Sequence, residues 1–115
     1  MICDIKDINN TQLLNSVEGL KTMLDIICTS YDFTVLHRIQ HRFSPHGITI
    51  LYMLSESHIS IHTFPEHKYL ALDIYTCRQY EDNEIYYEIY NYLIDELDAF
   101  YDQPVIIDRV YDLPS

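Results

Sequence analysis

The apolar residues of this chain follow two different spacings, and the switches between them outline its elements. Met1–Lys6 reads as a short first strand. Leu13, Val17, Leu20, Leu24 and Ile27 then recur at steps of four, three, four and three, which puts them on one stripe of a helix running to about residue 30. Asn9-Asn10-Thr11 stands ahead of it with side-chain oxygens that can cap free backbone N–H groups. Phe33–Phe43 is partly alternating and β-branched and predicts a strand. Ser44-Pro45-His46-Gly47 is a turn signal, and Ile48–Leu54 is a continuous apolar run that predicts a well-buried strand.

His58-Ile59-Ser60-Ile61-His62 alternates strictly, so His58, Ser60 and His62 share one face. Pro65-Glu66-His67-Lys68 breaks the chain before a further strand, Tyr69–Thr76. A second helix is predicted from about Glu81 to Phe100, with Ile85, Ile89, Leu93 and Leu97 stacked on its buried side and Gln103-Pro104 ending it. Val105–Tyr111 is a last strand. The order β-α-β-β-β-β-α-β predicts an α+β two-layer sandwich, a mainly antiparallel sheet with two helices on one face, in a single domain over residues 1–115.

Composition adds limits. A chain of 115 residues can build one modest core and has little room for a deep private active site, so a site shared between protomers fits its size. The net charge of −11 makes nucleic acid a poor partner and favours a cationic small molecule. No stretch approaches the ~20 apolar residues of a membrane span, and Met1–Asp7 lacks the pattern of a secretory signal. The expectation is a cytoplasmic protein. Cys3, Cys28 and Cys77 are odd in number and widely spaced, which suits a reducing compartment and no disulfide frame. Eleven tyrosines, four of them (Tyr86, Tyr87, Tyr90, Tyr92) on the second helix, fit a core edge or a subunit interface.

Chemistry concentrates in residues 43–77. His58 and His62 have the spacing of a metal pair on a helix, but on a strand their side chains stand ~13 Å apart, so no metal site is expected. Taken one at a time, Ser57 is a turn serine, Cys77 a small hydrophobe, Phe43 a core ring and Glu66 a solvated turn residue. Together they form ordered blocks: Phe43-x-Pro45-x-Gly47, Glu56-Ser57-His58, His62-Thr63-x-Pro65-Glu66, Asp73 and Thr76-Cys77. This series resembles the core of the prokaryotic-type S-adenosylmethionine decarboxylases, pyruvoyl-dependent enzymes that make their own cofactor.

The resemblance implies autocatalytic cleavage between Glu56 and Ser57, leaving residues 1–56 as one chain and 57–115 as a second chain headed by a pyruvoyl group derived from Ser57. That group would form a Schiff base with the substrate amine and take up the electrons left by departing carbon dioxide. By the same motif match, His62 assists processing, Thr49 supports it, and Cys77 returns a proton to the substrate carbon. Phe43 would stack on adenine, Glu66 would hold ribose hydroxyls, and the backbone near Leu54 and Glu56 would face the base.

The roles that the resemblance implies for Ser57 and His62 meet a limit of strand geometry. Ser57 and His62 are five residues apart, ~16 Å along an extended strand, too far for shared proton chemistry at ~3 Å. A homodimer follows as the expectation, with Ser57 and Cys77 of one protomer meeting Phe43, Thr49, His62 and Glu66 of the other. Ser55, Phe64, Lys68 and Arg78 depart from the family's usual residues. Three readings therefore stay open: decarboxylation of S-adenosylmethionine for spermidine synthesis, the same chemistry on ornithine or arginine, or a non-catalytic regulatory partner subunit.

Overall fold

Alternation along the middle strands decides the architecture. In a computed structural model, which describes residues 1–109, the elements in order are β1 (Ile2–Ile5), α1 (Thr11–Leu14), α2 (Val17–Ser30), β2 (Val35–Arg42), β3 (Ile48–Leu54), β4 (Ser57–Phe64), β5 (Tyr69–Tyr75) and α3 (Glu84–Leu97). The five strands form one sheet in the order β1-β5-β4-β3-β2, antiparallel throughout. On β3, β4 and β5 every second side chain is buried: Ile48, Ile50, Tyr52 and Leu54, then Ile59, Ile61 and Thr63, then Leu70, Leu72 and Ile74. These join Leu20, Leu24 and Ile27 of α2 and Ile89, Leu93 and Leu97 of α3 in one core. Both long helices therefore cover the same face of the sheet, and the other face is open. The expected α+β two-layer fold is the observed one.

Local details differ from the sequence reading. The first helix is two helices. Ser16 takes an extended backbone and its Oγ accepts from Gly19 N at 2.9 Å, capping α2 and interrupting the apolar stripe without moving Leu13 or Val17 off the core. α3 is shorter than predicted, because Asp98 turns left-handed (φ 51°) and closes it well before Gln103-Pro104. β2 carries an irregularity in its register between Val35 and His37, with Leu36 as the extra residue. The expected last strand is, among the described residues, a single bridge of Val105 to Ile2; Val110 and Tyr111 lie outside the described residues.

A buried hydroxyl and a glycine turn fix the start of β3 against the end of β4. Thr63 Oγ1 accepts from Ile48 N at 3.0 Å and donates to Leu14 O at 2.9 Å, so a hydroxyl inside the core is fully satisfied. Gly47 sits at φ 101°, and a Cβ there would come within 3.1 Å of Thr63 O, so this turn position takes glycine on both counts.

Candidate active site

The open face is built in rows by the strand register. Residues paired across antiparallel strands point the same way, so Thr49, His62 and Ala71 form one row, Leu51, Ser60 and Asp73 a second, and Met53, His58 and Tyr75 a third. His41, Ile39 and His37 of β2 extend the three rows on one side. The expected site residues fall at opposite ends of β3 and β4, with His62 and Thr49 on the open face and Ser57, the partner of Leu54, in step with the helix-side residues.

At one end, β3 and β4 are joined by the two-residue turn Ser55-Glu56, because Leu54 pairs with Ser57. Glu56 has φ 63°, while Ser55 keeps a non-positive φ. Positive φ at only the second turn residue suits Gly or Asn, and tight hairpins favour mirror-image turns instead. A glutamate held there stores on the order of 1–3 kcal/mol of backbone strain, immediately before Ser57. Leu54 is buried on the helix side, so only its backbone is available at this end. Ser57 stands one residue before the His58–Tyr75 pair that ends the β4–β5 register, and Cys77 follows two residues after Tyr75. Cys77 is exposed; its thiol donates to Tyr75 Oη at 3.4 Å.

At the other end, Thr49 Oγ1 and His62 Nδ1 share a hydrogen bond of 2.9 Å. If Nδ1 carries the proton into that bond, Nε2 is left as a free acceptor, the tautomer a base needs. Phe43 lies at the same end. Its N–H donates to Gly47 O at 2.8 Å, and its half-exposed ring meets His41 edge-on at 4.5 Å between centroids. Glu66 is exposed in the 3-10 turn Pro65–His67 that follows β4. Lys68 takes a left-handed φ of 51° at the end of that turn.

β4 runs unbroken from Ser57 to Phe64, so the two ends remain as far apart as the extended spacing requires. The structure brings Thr49 to His62, sets Cys77 just beyond the Tyr75 partner of His58, and does not bring His62 to Ser57 within one chain. Between the ends lies a shallow apolar groove of about 290 Å³ lined by His37, Ile39, Leu51, Met53, His58 and Ser60. Ile39, Leu51 and Met53 are 55%, 41% and 54% exposed on it. A larger cleft of about 660 Å³ opens beside Cys77, walled by β5, the segment to α3 and residues 106–109.

Sequence reasoning gave no role to two residues beside Ser57 and Cys77. His58 stacks on Tyr75 with ring centroids 5.5 Å apart and planes 24° apart, and the Arg109 guanidinium lies 4.9 Å from the centre of the Tyr75 ring. Alternation placed His58 on the open face, but only the β4–β5 register reveals what it faces.

Residues 1–105 match the sequence profile of the family described as S-adenosylmethionine decarboxylase. The chain belongs to the S-adenosylmethionine decarboxylase family. Among curated relatives, the S-adenosylmethionine decarboxylase proenzyme of Hydrogenobaculum sp. is 32% identical over 109 residues, covering 95% of this chain and 78% of that protein. The proenzymes of Brevibacillus brevis and Sulfurihydrogenibium sp. are 47% and 45% identical over 73 and 64 residues, which are 64% and 56% of this chain and 55% and 48% of theirs. The chain thus spans about half the length of these two relatives. A crystal structure of the adenosylmethionine decarboxylase from Aquifex aeolicus superposes with a TM-score of 0.72 at 25% identity, over 96% of this chain and 93% of that one. Among the described residues no helix is long and apolar enough to cross a membrane.

Proposed function

We propose that this chain cleaves itself between Glu56 and Ser57 and then decarboxylates S-adenosylmethionine, supplying a step of spermidine synthesis in the cytoplasm. The observation that carries this reading is the strained turn: Glu56, left-handed at φ 63°, directly precedes Ser57 at the head of β4. In the first step Ser57 Oγ attacks the Glu56 carbonyl carbon, and the amide becomes an ester while the hydroxyl proton passes to the freed amine. Leaving the strained turn favours that exchange. A base then takes the Ser57 Cα proton, the Cβ–Oγ bond breaks, and the Glu56 carboxylate departs. Water adds to the remaining dehydroalanine in its imine form, ammonia leaves, and residue 57 ends as a pyruvoyl ketone. That ketone supplies a carbonyl for the substrate's amine and a sink for the electron pair released with carbon dioxide.

The chain's own groups then divide the work. His62, with Nδ1 engaged by Thr49, serves as the base of the elimination. Cys77 holds the proton that returns to the substrate carbon. Phe43 offers a ring face to adenine, Glu66 a carboxylate to the ribose hydroxyls, and the backbone at Leu54 and Glu56 groups for the base edge. The net charge of −11 draws a cationic sulfonium towards the site.

His62 and Ser57 lie too far apart to act within one chain, so the reading requires two protomers, open face against open face, each lending its Thr49–His62 end to the other's Ser57–Cys77 end. The exposed Ile39, Leu51 and Met53 between the ends support this, since a second copy would cover them.

Intact mass under denaturing conditions tests the cleavage. Fragments 1–56 and 57–115, the second blocked at its N-terminus, are expected, followed by release of carbon dioxide from S-adenosylmethionine and not from ornithine or arginine. A chain that stays whole under every condition would overturn the enzyme reading in favour of a regulatory subunit. Co-expression tests the shared site. Ser57→Ala and His62→Ala chains each fail to cleave efficiently alone, but together they form one intact site per mixed dimer, so part of the His62→Ala chains are cut. No cutting in the mixture would exclude sharing.

A further inference from the structure

The Cys77 thiol does not stand alone at the end of β5. It donates to Tyr75 Oη at 3.4 Å, and Tyr75 is itself held. Its ring stacks on His58, the residue next to Ser57, and carries the Arg109 guanidinium over it. On the far side of Cys77, Arg78 donates through Nη1 to Tyr31 O at 2.8 Å and through Nη2 to Asp32 O, with its guanidinium 4.8 Å from the centre of the Phe33 ring. The backbone after the thiol is thereby tied to the loop that follows α2, and the hydroxyl two residues before it sets the direction of the S–H bond.

We propose that Tyr75 is a positioning residue that holds the Cys77 thiol beside residue 57, so that its proton goes to the substrate carbon. The inference rests on the proposed decarboxylase reading and deepens it. A proton returned after loss of carbon dioxide has two carbons to choose from: the substrate's, which gives the amine product, and that of residue 57, which gives alanine at the head of the second chain and an aldehyde from the substrate. Both outcomes conserve electrons and need no further reagent beyond water. The position of the donor decides between them. A thiol free to swing about its Cα–Cβ bond has no means of choosing, and a thiol held by Tyr75, whose own ring is fixed on His58 at the head of β4, does.

The test is Tyr75→Phe, which keeps the ring for His58 and Arg109 and removes the hydroxyl that accepts from Cys77. Cleavage into 1–56 and 57–115 should proceed at the wild-type rate. The kcat for carbon dioxide release should fall about 10-fold with KM unchanged, as expected when a reacting group is misplaced slightly. The fraction of second chains headed by alanine after a fixed number of turnovers should rise by a similar factor. A purely structural role for the hydroxyl would move stability but not the alanine fraction. Tyr75→Leu, which also removes the ring, should lower kcat further, and a wild-type alanine fraction in Tyr75→Phe would overturn the proposal even if the leucine variant failed to fold. Wild-type protein that cleaves and turns over while Tyr75→Phe matches it would sink this inference alone. Wild-type protein that never cleaves would sink the reading beneath it.

Discussion

The two faces of the sheet are made by the same strands and do opposite things. On the helix-covered face, Ile59 and Ile61 of β4 are fully buried and Thr63 spends its hydroxyl on two backbone groups. On the open face of the same strand, His58, Ser60, His62 and Phe64 stay accessible, two imidazoles among them. Period-two alternation separates stability from chemistry residue by residue. A change at one position should therefore be felt on one side only, which makes the contrast easy to break if it is false.

The largest expected effect is at the turn. Ser57→Ala should abolish cleavage completely, since no other hydroxyl can take over the attack, while the unfolding free energy stays within about 0.5 kcal/mol of wild type. Intact mass and a denaturant titration on the same preparation read both halves. Cleavage that survives would move the nucleophile elsewhere. At the other end of β4, on the open face, His62→Ala should slow cleavage about 10²–10⁴-fold, the usual weight of a positioned acid or base, again with stability nearly unchanged. Thr49→Val should slow it less, because the valine removes only the partner that selects the tautomer.

How much of this was legible beforehand follows the same division. The covered face could be read directly: Ile48–Leu54 is an apolar run, and Leu70, Leu72 and Ile74 alternate, so strands and core followed from hydrophobic period alone. The residues proposed for the site come from ordered blocks such as Glu56-Ser57 and His62-Thr63, whose pattern carries the resemblance to the family. Three things were hidden. The break between α1 and α2 depends on Ser16 competing for backbone N–H groups, which the apolar stripe passes straight through. The C-terminal end of α3 depends on Asp98 adopting a left-handed backbone, a choice that tertiary contacts enforce. The grouping of His58 with Tyr75 and Cys77 depends on register, and strand pairing cannot be read from one sequence. The separation of Ser57 from His62, by contrast, needed only the rise of an extended strand.

On the covered face, Ile61→Ala should cost about 2–5 kcal/mol, through lost burial and the cavity left behind. Protein that still folds should cleave at the normal rate, because His62 and Ser60 keep their places on the other side. A shift of the urea midpoint with unchanged slope measures the cost. A slowed cleavage in folded Ile61→Ala would show that the faces are coupled. Thr63→Val should cost somewhat less, about 1–3 kcal/mol, by leaving Ile48 N and Leu14 O without a partner.

The three cysteines give the smallest and most direct form of the comparison. Cys3 and Cys28 are buried in the core, and burial pushes their thiols up from about 9 to about 12 and about 11. Cys77 is exposed at the open end. An alkylating reagent applied to the folded protein at neutral pH should therefore modify Cys77 alone, and all three after unfolding, as peptide mapping would show. The buried pair also sets a pH dependence. Both folded values lie above the unfolded one, so between about 9 and 11 the unfolded chain has given up protons that the native chain retains. Their contribution is whole below pH 9 and drains away as pH rises through the folded values, by at most about 1.4 kcal/mol per thiol per pH unit. Replacing Cys28 with Ala should remove part of that slope, and replacing Cys77 with Ala should leave it intact. A slope that followed Cys77 instead would mean that the open end, not the core, titrates with folding, and the division between the two faces would fail at its simplest point.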